Sequence, residues 1–445
     1  MTPEQVIGAI ETILRDKFDP RHREGFSPQA RLNEDLCLDS VLILEIMLAL
    51  ELDHGVSLPE EVITRQDLET VEDLAALFSG TLEPVEEEAE TPALTFARAE
   101  NEAAGRVGVH GEEYVDIKVH CFVSSVCHAV KQLQLDHRPF FFGVWDAGFA
   151  VDDRWRLAYH APEVNHDFFQ TWFERLYGAE VRQWYRPDAS REENLATMLD
   201  LMARKTPTEY LMVMLDLFHL PERENKFNQN PFPHYLMLEE TADDTRWMVL
   251  DPDFRWEGEI EKAKVINAIM QPTVGGGFIF DAAEISQPVP ADLRDYFLAC
   301  FRADENLLTS ATREIVQAHI SARNGIALTD LAVALRELPV LSIRKYALEH
   351  GFAFFWRSLQ LSNAEFDVIC DDIEALIQNF KTLHYAVMKL SQTGDAALAA
   401  PVLAKLDSLD AMERSLKSQL ARVYERWCAS QRLEAWPAKT AGEAA

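Results

Sequence analysis

The sequence contains a cysteine, a histidine and an aspartate at positions that a folded domain could bring together as a nucleophilic site. Cys121 opens an apolar-periodic segment that predicts a helix, where the helix dipole and a nearby cation would favour the thiolate. His234 begins one predicted strand, and Asp251 ends the return strand of the same predicted hairpin. A base held by a carboxylate and facing a cysteine is the arrangement of a Cys-His-Asp nucleophilic site. The sequence therefore predicts catalytic roles for Cys121, His234 and Asp251.

The donors of an oxyanion hole are only partly indicated by the sequence. The backbone N–H of Cys121 is one candidate, and His120 or Asn230 is a candidate for the second donor. Taken singly, residues such as these are more often a buried thiol, a hydrogen-bonded strand-end histidine and a turn aspartate. Their combination with an upstream feature, Ser40, favours the catalytic interpretation.

Ser40 follows Asp39 and begins an apolar-periodic helix that ends at Gly55. A phosphodiester on its hydroxyl would be held by free backbone N–H groups and by the helix dipole. The periodicity predicts that Glu45 and Glu51 lie on the exposed face of this helix. Further amphipathic helices are predicted at 3–18 and from residue 70 onward, so residues 1–80 predict a small acidic helical bundle.

In order and spacing, residues 1–80 resemble the acyl or peptidyl carrier protein family, in which a serine after an aspartate carries 4'-phosphopantetheine. Leu38 stands where that family usually has glycine. The resemblance implies a four-helix carrier bundle with 4'-phosphopantetheine covalently bound to Ser40. It also implies two partners, a phosphopantetheinyl transferase and an acyl-loading ligase or synthetase.

The remaining chain divides by composition and pattern into a linker and two further regions. Residues 81–112 are rich in Glu, Ala and Pro and predict an acidic flexible linker, which would raise the local concentration of the carrier near the following domain. Residues 113–290 predict an α+β domain. Residues 291–432 predict an all-helical region with two long antiparallel helices. The predicted strands of the α+β domain are 140–142, 210–215, 234–238, 247–250 and 277–280.

The order of a cysteine helix, a histidine strand and an aspartate strand resembles papain-like cysteine peptidases of the bacteriocin-processing type, and most closely the butirosin-biosynthesis acyltransferase family. Residues 216–221 are similar to an aspartate-aromatic-leucine-proline stretch of that family. No glutamine precedes Cys121 as in papain-type enzymes. The resemblance implies a multidomain α+β protein with a papain-like centre. It also implies transfer of an acyl or aminoacyl group from a carrier thioester to an amine or alcohol, in the biosynthesis of a natural product such as an antibiotic or siderophore.

Three other interpretations stay open at this point. The same triad with water as acceptor would make a thioesterase that releases or edits the acyl group. The acceptor could instead attack the thioester directly, with His234 as base and no acyl-enzyme. In the third interpretation, the chain is a non-catalytic carrier that docks synthetase partners.

Composition limits the classes of binding partner and the cellular compartment that can be expected. The formal net charge of −32 argues against nucleic acid and anionic membranes as partners. No apolar run reaches membrane-spanning length and no signal peptide is evident, so a cytoplasmic location is expected. The 6 cysteines are scattered without a Cys-x-x-Cys pair, and the spacing of His160, Glu163 and His166 fits no common ligand motif. No metal is therefore predicted, and residues 275–277 predict a flexible glycine turn.

Overall fold

The computed structural model describes residues 1–38, 40–55, 58, 60–63, 68–79, 94–96, 119–161, 163–220, 222–223 and 230–437. The α-helices are α1 Pro3–Lys17, α2 Ser40–His54, α3 Glu60–Ile63, α4 Val71–Ser79, α5 Cys121–Gln132, α6 Asp167–Tyr177, α7 Arg191–Arg204, α8 Lys262–Ile269, α9 Pro290–Cys300, α10 Leu307–Ile320, α11 Leu331–Ala334, α12 Leu338–Ser342, α13 Ala347–Leu359, α14 Asn363–Thr393 and α15 Ala399–Gln431. The strands are β1 Ala150–Val151, β2 Leu157–Ala158, β3 Arg182–Gln183, β4 Glu209–Asp216, β5 Pro233–Glu240, β6 Arg246–Asp251, β7 Trp256–Glu261 and β8 Gly277–Asp281. Short 3-10 helices lie at Pro20–Arg23, Arg138–Gly143, Leu217–His219, Ala282–Glu284, Arg323–Gly325, Leu328–Asp330, Ile343–Tyr346 and Ala396–Leu398.

Helices α1 to α4 pack around one apolar core. The α1 helix begins with a capping box, in which Thr2 and Gln5 each satisfy a backbone N–H of the other. Gly55 takes the left-handed conformation, with φ of +69°, directly after α2. The helices predicted at 3–18 and after Ser40 are therefore confirmed.

Helix α2 is apolar on all sides and is buried on nearly all of them. The core of one small bundle can bury only one face of such a helix, so a second element must pack against the opposite face. The second cover is α14, which contacts both α2 and α3. Glu45 is exposed as predicted, but the prediction for Glu51 is wrong, because its residue exposure is only 7%.

The central region contains a six-stranded antiparallel sheet in the order β3-β8-β4-β5-β6-β7. Four of the five predicted strands are confirmed as β4, β5, β6 and β8. The strand predicted at 140–142 is wrong, because these residues lie in the 3-10 helix Arg138–Gly143. Its three phenylalanines are all buried, and a short continuous apolar run cannot distinguish a strand from a buried helical turn.

Alternate residues of the sheet face two different cores. Met212, Met214 and Met237 belong to a core shared with α5 and the C-terminal helices. Leu211 and Val213 belong to a second core on the other face, which includes residues of α7 and α8. Helices therefore cover both faces of the central strands and hold their ends in place.

The C-terminal region is helical, as predicted, and α14 packs along α15. Its core is continuous with that of the central region, since one apolar cluster runs from Phe122 to Cys428. A buried ion cluster joins the two regions as well. Asp146 accepts from Lys345 at 2.9 Å and from Lys417 at 2.7 Å, and both lysines also pair with Glu413.

Most of the predicted linker, 81–112, lies outside the described residues. Its described part, 94–96, packs on the helical region, with the ring of Phe96 5.5 Å from that of Trp356. No helix in the described part of the chain is both long enough and apolar enough to cross a bilayer.

Candidate functional site

Cys121 is the first residue of α5, and its position is fixed by the segment that precedes it. His120 is the N-cap residue, and its Nδ1 accepts from the backbone N–H of Val123 at 3.5 Å. The carboxylate of Asp253 accepts from the backbone N–H groups of Val119 and His120, both at 3.0 Å, and from the hydroxyl of Ser124 at 2.6 Å. Asp253 thus joins the loop after β6 to the start of the cysteine helix.

His234 and Asp251 lie side by side at one end of the β5–β6 hairpin. The register, with Met237 opposite Leu250, places the start of β5 beside the end of β6. The Nε2 of His234 is 2.9 Å from Oδ1 of Asp251, and both side chains are buried. Cys121 and His234 line the same cavity, and the Cys121 thiol is one of the groups that raise the pKa of His234. The structure therefore brings Cys121, His234 and Asp251 together in one connected chain of contacts.

Arg223 is a second partner of Asp251 that the sequence analysis missed. One of its guanidinium nitrogens donates to Oδ2 of Asp251 at 3.0 Å, and its side chain is only 6% exposed. The guanidinium also lies 4.4 Å from the ring centroid of Trp256. No local pattern marks an arginine that pairs with a carboxylate 28 residues downstream.

At this site, burial and the neighbouring charged groups shift the pKa values of His234 and Asp251 in opposite directions. Burial alone would lower the pKa of His234, but the Asp251 carboxylate and the Cys121 thiol raise it to about 10. Burial would raise the pKa of Asp251, but His234 and then Arg223 bring it below its usual value. His234 is therefore an imidazolium at neutral pH.

Two groups near Cys121 can donate to an oxyanion. Among the described residues, the backbone N–H of Cys121 has no hydrogen-bond partner, as expected for the first turn of a helix. Burial, and then Arg344 and His166, lower the pKa of His120 well below its usual value, so its ring is neutral. Because Nδ1 of His120 accepts a bond, its proton lies on Nε2, which is then a donor. Asn230 is exposed and does not line the cavity formed by the described residues.

Cys121 and His234 line a small cavity of about 50 Å³. A neighbouring cavity of about 370 Å³ shares Val119 and Asp253 with it. Another, of about 910 Å³, shares His160 and Val164. The cysteine cavity therefore borders two larger cavities on different sides.

Arg344 contributes a buried cation to the cysteine cavity from the C-terminal helical region. It donates to the carbonyl of Gly148 at 3.1 Å. Burial lowers the pKa of its guanidinium to about 10, although Cys121 and other nearby groups oppose this effect. The helical region is thus part of the site, which no motif around residue 344 indicated.

The other candidate residues have structural environments of their own. His160 and His166 lie in or beside a loop, as predicted, and both line the cysteine cavity. Burial lowers the pKa of His166 to about 3. The described residues contain no cluster of three or more His, Cys, Asp or Glu side chains that could hold a metal ion. All 6 cysteines are free; Cys121 is partly exposed, whereas Cys127 in the same helix is buried.

Two further sequence features support the frame of the site. Asp216, at the start of the 216–221 stretch, is buried and accepts from the backbone N–H groups of Phe218 and Phe232 and from Thr273. The glycines at 275–277 are packed against the side chains of Tyr185, Tyr235 and Trp184. A Cβ on Gly276 would collide with the hydroxyl of Tyr235, which also lines the cysteine cavity.

Ser40 begins α2, as the carrier pattern predicts. Asp39 and the side chain of Ser40 lie outside the described residues.

Two family models match successive parts of the chain. Residues 116–285 match the DUF6005 N-terminal domain, and residues 291–440 match the DUF6005 C-terminal domain. The chain is 39% identical to petrobactin synthase of Bacillus anthracis over 312 residues, which cover 70% of this chain and 95% of that protein. It is also 28% identical to the acyl carrier protein AsbD of Bacillus anthracis over 87 residues, covering 20% of this chain and 94% of that protein.

Proposed function

We propose that this chain, which belongs to the same family as the petrobactin synthase of Bacillus anthracis, is a carrier-dependent acyltransferase of siderophore biosynthesis. It would transfer an acyl or aminoacyl group from a thioester on its carrier region to an amine or alcohol. The observation that carries the proposal is the connected set Cys121, His234 and Asp251 beside a cavity. Relatedness to a synthase and to a carrier protein supports the biosynthetic setting.

The first half-reaction begins with attack by Cys121. The Cys121 thiolate attacks the carbonyl carbon of the thioester substrate, the bond to the leaving sulfur breaks, and the leaving thiolate takes a proton from His234. Two thioesters of similar energy exchange, so this step needs little driving force. The backbone N–H of Cys121 and the Nε2–H of His120 would stabilise the oxyanion.

The second half-reaction regenerates the enzyme. His234, now neutral, accepts the proton of the amine as its nitrogen attacks the acyl carbonyl on Cys121. The carbon–sulfur bond breaks and the thiolate returns beside the imidazolium. Asp251 holds the imidazole orientation and balances its charge throughout. Formation of an amide from a thioester is energetically downhill.

The carrier region supplies the thioester in this proposal. Ser40, as the first residue of a 15-residue helix, would hold the phosphodiester of 4'-phosphopantetheine at the positive end of the helix dipole. When bound, that group supplies the thiol on which the acyl chain is activated. A phosphopantetheinyl transferase and an acyl-loading ligase or synthetase are the proposed partners.

The proposed layout is a carrier domain at 1–80, a linker at 81–112, a papain-like domain at 113–290 and a helical domain at 291–432. The cysteine helix packed on an antiparallel sheet that carries His234 and Asp251 supports the papain-like assignment. The shared apolar core and the location of Arg344 indicate that the last two regions act together.

Mass spectrometry of the full chain tests the proposal. Incubation with a phosphopantetheinyl transferase and acyl-coenzyme A should add the acylated arm, and Ser40→Ala should abolish this gain. On addition of amine, the acyl group should leave as an amide. Cys121→Ala should prevent this transfer, whereas Cys127→Ala, a matched change in the same helix, should preserve it.

The alternatives give different products in the same assay. Release of free acid at equal rates with and without amine would identify a thioesterase. Transfer that persists in Cys121→Ala would refute the acyl-enzyme, and would support direct attack if alkylation of the cysteine also has no effect. Transfer that is absent from every variant and from the wild-type chain would favour the non-catalytic docking protein.

A further inference from the structure

Glu51, near the end of α2, is held by two side chains of α14. Tyr385 donates its hydroxyl proton to one carboxylate oxygen at 2.6 Å, and Lys389 donates to the other at 2.7 Å. The Glu51 side chain is 8% exposed and that of Lys389 is 30% exposed. A carboxylate that is buried in this way needs its partners, so the contact is specific to this pair of helices.

The polar contact sits within a continuous apolar surface. Tyr385 and Met388 of α14 are buried members of the same apolar cluster as the core of the carrier region, and Ala332 packs against that cluster. Both α2 and α3 contact α14. Residues of the helical region thus complete the carrier core. Helix α14 covers the apolar face of α2 that the carrier bundle leaves uncovered.

The 3-10 helix Pro20–Arg23 of the carrier region makes a second contact, with the segment that follows β4. The Arg21 guanidinium is 5.6 Å from the ring centroid of Phe218. The next residue, His22, bonds through Nδ1 to the carbonyl of Leu36 at 2.9 Å, which ties it to the segment leading into Ser40. The segment that leads into Ser40 is therefore held by the same 3-10 helix that touches Phe218.

Phe218 lies at the end of the sheet where β4 finishes and where His234 stands near the start of β5. It follows β4 by two residues, and its backbone N–H donates to Asp216. Asp216 is paired in register with Pro233, the neighbour of His234. One end of the docked carrier thus rests beside the strand ends that carry the catalytic candidates, while Glu51 is anchored on α14.

We propose that the surface of α14 formed by Tyr385, Met388 and Lys389 is the docking site for the second helix of the chain's own carrier, with Glu51 as the anchor. This inference rests on the proposed function. Docking in this orientation presents the Ser40 end of α2 to the active-site edge of the sheet. The carrier therefore delivers its acyl group to Cys121 of the same chain.

Hydrogen exchange on the full-length, unloaded chain tests the docking itself, independently of catalysis. Glu51→Lys places two cations together, and Lys389→Ala removes the partner while leaving the carrier sequence unchanged. Both should raise the exchange of amides in 41–54 and 380–391. Asp53→Lys is the matched control, because Asp53 is exposed and pairs with Lys17 inside the carrier region. The charge swap Glu51→Lys with Lys389→Glu should restore protection. Unchanged exchange of 380–391 in both single variants would overturn the docking site.

Transfer kinetics test delivery within one chain. The wild-type chain, loaded on Ser40, should transfer its acyl group to hydroxylamine at a rate independent of protein concentration. A mixture of loaded Cys121→Ala chain with Ser40→Ala chain can transfer only between chains, and should be slower and proportional to concentration. Lys389→Ala should slow transfer within the chain about tenfold or more, the factor expected from losing a hydrogen bond to a charged group.

The outcomes separate this inference from the proposed function. A mixture as fast as the intact chain would refute delivery within one chain while leaving the acyltransferase intact. A diffusible acyl thioester bypasses the docking surface, so its rate reports on the Cys121 site alone. If neither substrate is turned over while the exchange differences persist, the proposed function fails and the docking surface stands.

Discussion

Asp251→Asn separates the two roles of the buried carboxylate. The substitution keeps the size of the side chain but removes the charge that balances His234 and Arg223, whose nearest nitrogens lie 2.9 and 3.0 Å away. Loss of one partner of a buried ion pair typically costs about 3–5 kcal/mol. We expect a fall of about 3 kcal/mol in the free energy of unfolding, because the rings of Phe254 and Trp256 still face the guanidinium.

The effect on catalysis has a different origin. A hydrogen bond to a charged group contributes about 1.5–3 kcal/mol, and each 1.36 kcal/mol changes a rate tenfold. Loss of the carboxylate that stabilises the His234 imidazolium should therefore lower kcat/KM by about 10–100-fold. The assay is release of acyl hydroxamate from a diffusible acyl thioester, with urea unfolding of the same samples.

The double variant Asp251→Asn with Arg223→Met distinguishes the two effects. Replacing the unpaired guanidinium by an apolar side chain should recover most of the lost stability, since buried ion pairs can be exchanged for apolar groups with little cost. The rate should stay low. A double variant that regains the wild-type rate, or a single variant within about twofold of it, would show that Asp251 only neutralises Arg223.

Three more predictions concern protonation, capping and packing. The pKa of His234 rises to about 10 from an ordinary 6.5, so its stabilising contribution is complete below about pH 6.5 and is lost as the pH rises through 10. The difference in unfolding free energy between wild type and His234→Gln, measured in urea, should shrink between pH 7 and pH 10. Asp253→Ala should lower the unfolding free energy by about 2 kcal/mol, because buried donors lose their acceptor, and Asp253→Asn should recover part of it. Gly276→Ala forces a Cβ against the hydroxyl of Tyr235 and should cost about 1–3 kcal/mol in thermal unfolding, whereas Gly8→Ala, where the new Cβ meets open space, should not destabilise.

The strong periodic elements could be predicted from the sequence. Strands β4, β5, β6 and β8 are apolar runs of strand length, and the long helices keep an apolar stripe over many turns. Strand β7, Trp256–Glu261, was missed because it is an edge strand with polar residues on its exposed side. The prediction of a strand at 140–142 was wrong because three consecutive phenylalanines show neither the alternation of a strand nor the spacing of a helix.

The positions of the candidate site residues could be predicted only where a local pattern and a suitable residue type coincide. Cys121 is at a helix start, and His234 and Asp251 are at the ends of one hairpin, so pattern and residue type agreed. Arg223, Asp253 and Arg344 reach the site through tertiary packing between distant segments, for which one sequence holds no local signal. The burial of Glu51 did have a signal, because the helix around it is apolar on every face.

The buried ion cluster has a consequence for how the molecule comes apart. Asp146 belongs to the central region, whereas Lys345, Glu413 and Lys417 belong to the helical region, and the four charges cancel. Pulling the regions apart would leave a net positive charge on one newly bared face and a negative charge on the other. A protease cut at the exposed residues Ser286 and Gln287 should therefore give a nicked protein whose two pieces migrate together on a sizing column and separate only in denaturant.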